Sequence, residues 1–242
     1  MRRLVIVIPA VVRDRRGLEM LRVQSLLCPR LSRSNADPGL VIHGCVAYDA
    51  IAPELLDETL ALSFTVKAFS VGNSGWLQAT GVRQPTQRAI DQIRSIFGPG
   101  RELYVLRVIQ DAMVLDAGSL LAEMVALMDR EKGSFLAGAM EACDDIGPHM
   151  EALGLPRRQS YSFAQGAVLF APLAVWEKHY PRLPRAITHY CDDSVMSQLV
   201  MAAGGRLLPL TRHWEHRHDC PVEASRAIFA AQSAELAGPP AD

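Results

Sequence analysis

The stretch that decides the fold reads SFAQGAVLFAPLAVWEKH from Ser162 to His179. After a short gap it continues THYCDDSVMSQLVMAAGGRLLPLTRHWEHRHD, from Thr188 to Asp219. First comes an apolar run interrupted by Gln165 and Gly166. Next, the acidic pair Asp192 and Asp193 opens an amphipathic helix that stops at Gly204 and Gly205. Last, a short apolar strand, Arg206 to Leu210, runs into His213, His216 and His218. This order puts carboxylates at a helix start and imidazoles at a strand end, where a reaction centre can be assembled.

Working outward, LVIVIPA (Leu4 to Ala10) is a continuous apolar run, the pattern of a parallel strand buried on both faces. Further strands are expected at Leu40–Tyr48, Phe64–Val71, Leu103–Asp111 and Ser134–Ala142. Helices are expected between them: Arg15–Leu27, ended by Pro29; Pro53 to about Leu62; Arg83–Phe97, with Ile90, Ile93, Ile96 and Phe97 on one face; and a helix capped by Asp116 and running to about Met128. Ser32–Gly39 reads as a loop, and Cys143–Ser160 as an irregular excursion. This alternation predicts an α/β fold with a mainly parallel central sheet and helices on both faces. No linker splits the chain, so one domain is expected over 1–242. Its nucleotide-binding part would cover about 1–115 and its acceptor and catalytic part about 116–220, with a flexible tail over 232–242.

Composition narrows the function. The chain has 242 residues, 49% of them hydrophobic, and a net charge of −1. That balance gives no electrostatic case for nucleic acid. Leu4–Val12 is too short for a membrane span and contains Pro9, so neither a signal peptide nor a transmembrane segment is expected. The five cysteines (Cys28, Cys45, Cys143, Cys191, Cys220) form no CxxC pair, which argues against a disulfide framework and for a reducing cytoplasm. The histidine spacing does not match a structural zinc site.

In open α/β sheets ligands bind beyond the carboxyl ends of the strands. Those ends carry Pro9 and Ala10, Asp49, Gly72 and Asn73, and Gln110 and Asp111. The loop Gly72–Gly81 matches neither dinucleotide nor P-loop patterns. It is a turn or a backbone approach to a phosphate, with Trp76 as a ring for stacking; Trp176 reads as core. Asp111 is a turn aspartate or a ligand for a hard cation. Asp192 and Asp193 serve as a helix cap, or one of them as a general base for an acceptor hydroxyl. Arg13, Arg15 and Arg16 are a solvated face or phosphate contacts.

Taken together, the segments LVIVIPA, FAQGAVLFAPLAVWEK and CDDSVMSQLVMAAGGRLLPLTRHWEH resemble the GT-A glycosyltransferases, the nucleotide-diphospho-sugar transferase fold, in a family-2-like form. The resemblance spans about Leu4 to His218. It implies transfer of a sugar from a nucleotide-sugar donor to an acceptor hydroxyl, with inversion. The acceptor would be a glycan, a lipid-linked or a small molecule, and a homodimer is compatible. By position, Asp193 matches the catalytic base and Asp192 the acid before it. Asp111 matches the last acid of the D-x-D motif, and His216 the downstream metal histidine. Pro9, Ala10, Arg13, Asp49, Asn73, Arg88, Asp111, Gln165 and Gly166 fall on donor positions. The implied cofactor is a divalent cation, Mn²⁺ or Mg²⁺. Ile109 stands where the first acid of the motif would be, which weakens or removes that metal site. The second strand also ends VAYDAIAP rather than in an acidic-serine turn. The alternatives are a non-catalytic member that binds nucleotide sugar or a protein, and a sugar nucleotidyltransferase. The latter normally has a Gly-rich basic loop after the first strand, where this chain reads VVRDRRG.

Overall fold

The first apolar run forms strand β1 (Arg2–Val12), which lies between two neighbours and is buried over most of its length. Its even residues from Leu4 to Val12 enter one core cluster, while Val5 and Val7 enter another. A strand with both faces covered needs apolar side chains at every position, hence the unbroken run. We describe residues 1–69, 83–98, 102–144, 146–184, 192–217 and 220–237 of a computed structural model.

The elements follow in order. Helices α1 (Arg15–Ser25) and α2 (Leu27–Ser34) precede β2 (Leu40–Ile51). A 3₁₀ turn at Pro53–Leu55 runs into α3 (Leu56–Leu60), then β3 (Val66–Phe69). Next come α4 (Arg83–Phe97), β4 (Leu103–Val108), β5 (Ala112–Val114) and α5 (Ala117–Arg130). Strands β6 (Phe135–Gly138) and β7 (Met140–Cys143), helix α6 (Gly147–Ala152), and strands β8 (Tyr161–Ala164) and β9 (Val168–Pro172) follow. The chain continues with α7 (Leu173–His179), α8 (Asp192–Ala202), β10 (Arg206–Pro209), β11 (Trp214–His216) and α9 (Val222–Ala237).

Among the described residues seven strands make the main sheet, in the order β3-β2-β1-β4-β9-β6-β10. All neighbours are parallel except β9, which runs against both β4 and β6. Leucines of α1, α2 and α5 cover one face, and α4, α7 and α8 the other. The expected mainly parallel α/β sheet with helices on both faces is therefore present. Two small antiparallel pairs, β5 with β11 and β7 with β8, stand off it.

Several boundaries differ from the sequence-based expectation. Pro29 does not end a helix; it sits in the first turn of α2, where its missing N–H costs nothing. The expected strand Ser134–Ala142 is two strands, and β7 leaves the main sheet to pair with β8. Ile96 is 50% exposed rather than on the buried face of α4. The excursion after Cys143 contains α6. The expected flexible tail is helical as far as Ala237, and buried Gln232 donates to the Val114 carbonyl at 3.5 Å.

β1 also does not end at Pro9 and Ala10. Both are buried inside the strand, paired with Ala47 and Tyr48. The odd residues of β1 face β4, as Arg3 shows by donating to the Glu102 carbonyl. Pairing with β4 stops at Val7–Arg107, so Pro9 has its missing N–H where no strand needs it. Beyond it, the Gln110 side chain replaces the absent strand. Its Oε1 accepts from Val11 N at 2.8 Å, and its Nε2 donates to the Gly17 carbonyl at 2.6 Å. Gln110 thus latches the end of β1 to the start of α1. Gln110→Ala leaves the Val11 N–H unpaired and is expected to cost ~1–3 kcal/mol, read as a lower urea midpoint. An unchanged midpoint would show that the latch carries no load.

Candidate active site

Three segments far apart in sequence meet at the carboxyl end of β4. Ile109 N donates to the Ala167 carbonyl at 3.0 Å, which ties the strand end to the Gln165–Ala167 turn. The Gly166 N–H in turn donates to Asp193 Oδ2 at 2.5 Å, which ties that turn to the start of α8. Gly166 is needed for this approach. A Cβ there would lie 2.8 Å from Asp193 Oδ2 and 2.9 Å from Arg107 Nη2.

The two adjacent aspartates have different surroundings. Asp192 is 4% exposed and forms an ion pair with Arg107, which is fully buried in β4. Tyr180 Oη donates to Asp192 Oδ2 at 2.9 Å, and Arg107 Nη1 donates to Tyr180 Oη at 3.2 Å. Arg107 Nη2 reaches the Gly166 carbonyl at 3.1 Å, and its guanidinium lies 5.7 Å from the Trp176 ring centre. Burial opposes the charge on Arg107, yet Asp192 and Tyr180 hold its pKa above the ordinary range.

Asp193 remains partly open to solvent. Its Oδ1 accepts from Ser194 N at 2.7 Å. Burial, and then the charge of Asp192, push its carboxyl up to about 6, against the pull of Arg107 and the two N–H donors. A carboxylate with that proton affinity is matched to taking a proton near neutral pH. Asp192, buried and already paired, is not placed to do so.

Asp111 and His216 come together across the small β5–β11 sheet. Asp111 Oδ1 lies 3.3 Å from His216 Nε2, and the Asp111 carbonyl accepts from Arg217 N at 2.8 Å. The segment before them is pinned by His213, whose Nε2 is 3.1 Å from Glu123 Oε1 and whose carbonyl accepts from Leu115 N at 2.8 Å. A carboxylate oxygen beside an imidazole nitrogen is a mixed O/N donor pair, which suits a transition cation such as Mn²⁺ better than the oxygen-preferring Mg²⁺. Among the described residues no group of three or more His, Cys, Asp or Glu side chains could hold a metal ion. Asp111 and His216 alone are fewer donors than a metal shell needs, so a cation here would take its other ligands from elsewhere.

Of the other expected donor contacts, Asp49 is the bulged residue of β2. Register passes from Ala10–Tyr48 to Val11–Ala50 around it, and Asp49 itself is 5% exposed. Arg13 is exposed in the turn between β1 and α1, beside Asp14, which caps α1 by accepting from Gly17 N. Arg15 of that basic turn pairs with Glu58 at 2.7 Å. Arg88 is exposed on the second turn of α4. Gln165 is partly buried beside Gly166. Trp176 is core, as expected. Asn73, Trp76, the whole Gly72–Gly81 loop, Cys191 and His218 lie outside the described residues. Of the described cysteines, Cys28, Cys45 and Cys220 are free thiols. No described helix is long and apolar enough to cross a membrane.

Sequence reasoning missed Arg107 and Tyr180, and named Gln110 only as a strand end, without its latch to Val11 and Gly17. For Arg107 one signal was present: a single charge inside the apolar run LYVLRV. A hollow of about 800 Å³ lies at the opposite, amino-terminal end of the sheet, lined in part by Arg2, Glu102, Asp129 and Lys132. Arg2 there is engaged by Asp37 and Asp129.

No protein-family model and no curated protein matches the chain. Solved structures do. A CMP-2-keto-3-deoxy-manno-octonic acid synthetase complexed with CTP is 16% identical, with a TM-score of 0.50 over 95% of this chain and 99% of that one. A 4-diphosphocytidyl-2C-methyl-D-erythritol synthase is 10% identical, with a TM-score of 0.55 over 96% and 99%. The galactosyltransferase LgtC, in complex with donor and acceptor sugar analogues, is 11% identical, with a TM-score of 0.49 over 95% and 96%. The likeness to the two synthases is one of fold: the chain has the nucleotide-diphospho-sugar transferase fold.

Proposed function

We propose that this chain transfers a sugar from a nucleotide-sugar donor to an acceptor hydroxyl, with Asp193 as the general base. The observation that carries the reading is the division of labour between neighbouring carboxylates. Asp192 is neutralised by Arg107, while Asp193 is partly exposed with its carboxyl raised to about 6. A hydroxyl nucleophile must lose a proton and so needs such a group; a phosphate nucleophile is already ionised and does not. In the step, the acceptor oxygen bonds to the anomeric carbon and its proton passes to Asp193. The bond from that carbon to the nucleotide phosphate breaks, and the nucleoside phosphate leaves. Attack from the face opposite the leaving group inverts configuration. Asp111 and His216 would hold the divalent cation, which supplies charge neutralisation for the departing phosphates. Asp49 and Arg13, at the carboxyl ends of the first two strands, would contact the nucleotide.

A second reading is nucleotidyl transfer from a nucleoside triphosphate. Two observations favour it: two of the solved structures that share the fold are named for cytidylyl products, and the chain just after β1 carries Arg13 and, at the start of α1, Arg15 and Arg16. One experiment separates the two. The purified protein is screened by thermal shift against UDP-, GDP-, CMP- and dTDP-sugars with and without Mn²⁺, then assayed for nucleotide release. A ligand at ~100 times its dissociation constant stabilises by about 2.7 kcal/mol. Stabilisation by one nucleotide sugar, followed by acceptor-dependent nucleotide release, is the expected result. Pyrophosphate release from a nucleoside triphosphate and a sugar or sugar phosphate, with no response to nucleotide sugars, would overturn glycosyl transfer in favour of the second reading.

A further inference from the structure

Arg107 is a guanidinium inside a sheet. It lies in β4, flanked by β1 and β9, with no exposed surface. Burying an ion pair this deeply is seldom a source of stability, because desolvation of both charges offsets their attraction. An apolar pair of similar volume would serve the core as well. What the arginine contacts is therefore more informative than what it costs.

Two of its hydrogen-bonding partners, Asp192 and Gly166, border Asp193, and the third, Tyr180, is bonded to Asp192. Nη1 meets Asp192, the preceding residue, and Tyr180 Oη, which donates to the same carboxylate oxygen. Nη2 meets the carbonyl of Gly166, whose own N–H is bonded to Asp193 Oδ2. Arg107 and Asp193 thus grip one glycine from its two ends. We propose that Arg107 is the positioning residue of this site: by holding Asp192 and the Gly166 carbonyl from inside the sheet, it fixes where Asp193 sits and leaves Asp193 as the only one of the two adjacent carboxylates free to accept a proton. This rests on Asp193 being the site's proton acceptor, as the proposed function has it. Arg107 itself touches no substrate.

Among the described residues, the charged groups acting on Asp193 are Asp192, on its own helix, and Arg107, on β4; the N–H groups of Ser194 and Gly166 add fixed dipoles. Asp192 raises the proton affinity of Asp193 and Arg107 lowers it. The signs of two substitutions follow. Asp192→Asn removes the repulsion and leaves Arg107 to act on Asp193 alone, so the titration of Asp193 moves down. Arg107→Met removes the attraction and frees the Asp192 charge, so it moves up.

The test is a pH titration of the full chain, labelled with ¹³C at the aspartate carboxyls and followed by NMR. The Asp193 resonance is assigned by its loss in Asp193→Asn. The expected result is a midpoint about one pH unit lower in Asp192→Asn, and about one unit higher in Arg107→Met, on the scale by which one unit is a tenfold change in proton affinity. Asp192→Asn keeps the arginine and decides the question should Arg107→Met fail to fold. A purely structural network would lower the melting temperature of these variants but leave the Asp193 midpoint where it was, and that outcome would overturn the proposal. No substrate enters the measurement. Shifted midpoints in a protein with no transferase activity would sink the proposed function and leave this inference standing; unmoved midpoints in an active transferase would do the reverse.

Discussion

Asp193→Asn is expected to slow transfer by ~10²–10⁴-fold, the usual span for loss of a general base, while donor binding stays within a few-fold of the parent. The donor contacts proposed here do not include the Asp193 carboxylate, so the loss should fall on the rate and not on donor affinity. The same variant changes the pH dependence of stability, and the sign follows from linkage. Asp193 has its carboxyl raised from an ordinary value of 3.8 to about 6 in the folded chain. A folded state that holds a proton more tightly than the unfolded one is helped by that group at low pH. The contribution is complete below about pH 4 and is lost as the pH rises to about 6. Two pH units correspond to roughly 2–3 kcal/mol. Asparagine cannot titrate, so a melting-temperature series from pH 4 to pH 7 should lose this downward component. Full transfer by Asp193→Asn, in a protein whose parent is shown to be active, would mean that another group takes the proton.

Much of the frame around Asp193 was legible in the sequence because it depends on continuous apolar runs. LVIVIPA had to be a doubly buried strand, and it lies between its neighbours β2 and β4. The span Arg83–Phe97 was readable as a helix from its 3.6-residue period, and Asp116 as a cap; both are observed at the expected places. That a histidine would lie near Asp111 was read as part of a metal site, and family likeness singled out His216; nothing local in either segment brings 111 to 216. Register between β5 and β11 does that. The least legible feature was the most consequential one. An arginine inside LYVLRV looks like an interruption until its tertiary partners are seen, because the groups that compensate it sit at 166, 180 and 192. Propensity and periodicity see neighbours within a few residues, and this network closes over 59 to 85. The division of Ser134–Ala142 was hidden for a related reason. The run SFLAGAMEA is apolar but for Ser134 and Glu141, and β7 leaves the sheet where Gly138 packs 3.1 Å from Ala164 and Val168, as measured from where its Cβ would stand.

Gly166→Ala is the sharper test of the same geometry, because it adds one methyl group and changes no charge. The backbone there is not in the left-handed region that would demand glycine. Space alone excludes a side chain. The added Cβ would sit 2.8 Å from Asp193 Oδ2, 2.9 Å from Arg107 Nη2 and 3.0 Å from Asp193 Cβ. Real Cβ atoms essentially never make contacts under 3.0 Å, so something has to move. Arg107 is fully buried and held by Asp192 and Tyr180, which leaves Asp193 and the 165–167 turn as the parts that can give way. Overpacking of this kind costs about 1–3 kcal/mol, so the variant should fold with a lower melting temperature. Displacing the base by even an ångström should reduce the rate by ~10²-fold. The pairing of a moderate stability loss with a large rate loss is the diagnostic. Gly166→Ala with near-parent activity would mean that the Asp193–Gly166–Arg107 grip is not needed for turnover, and the base assignment would have to be sought elsewhere on the rim.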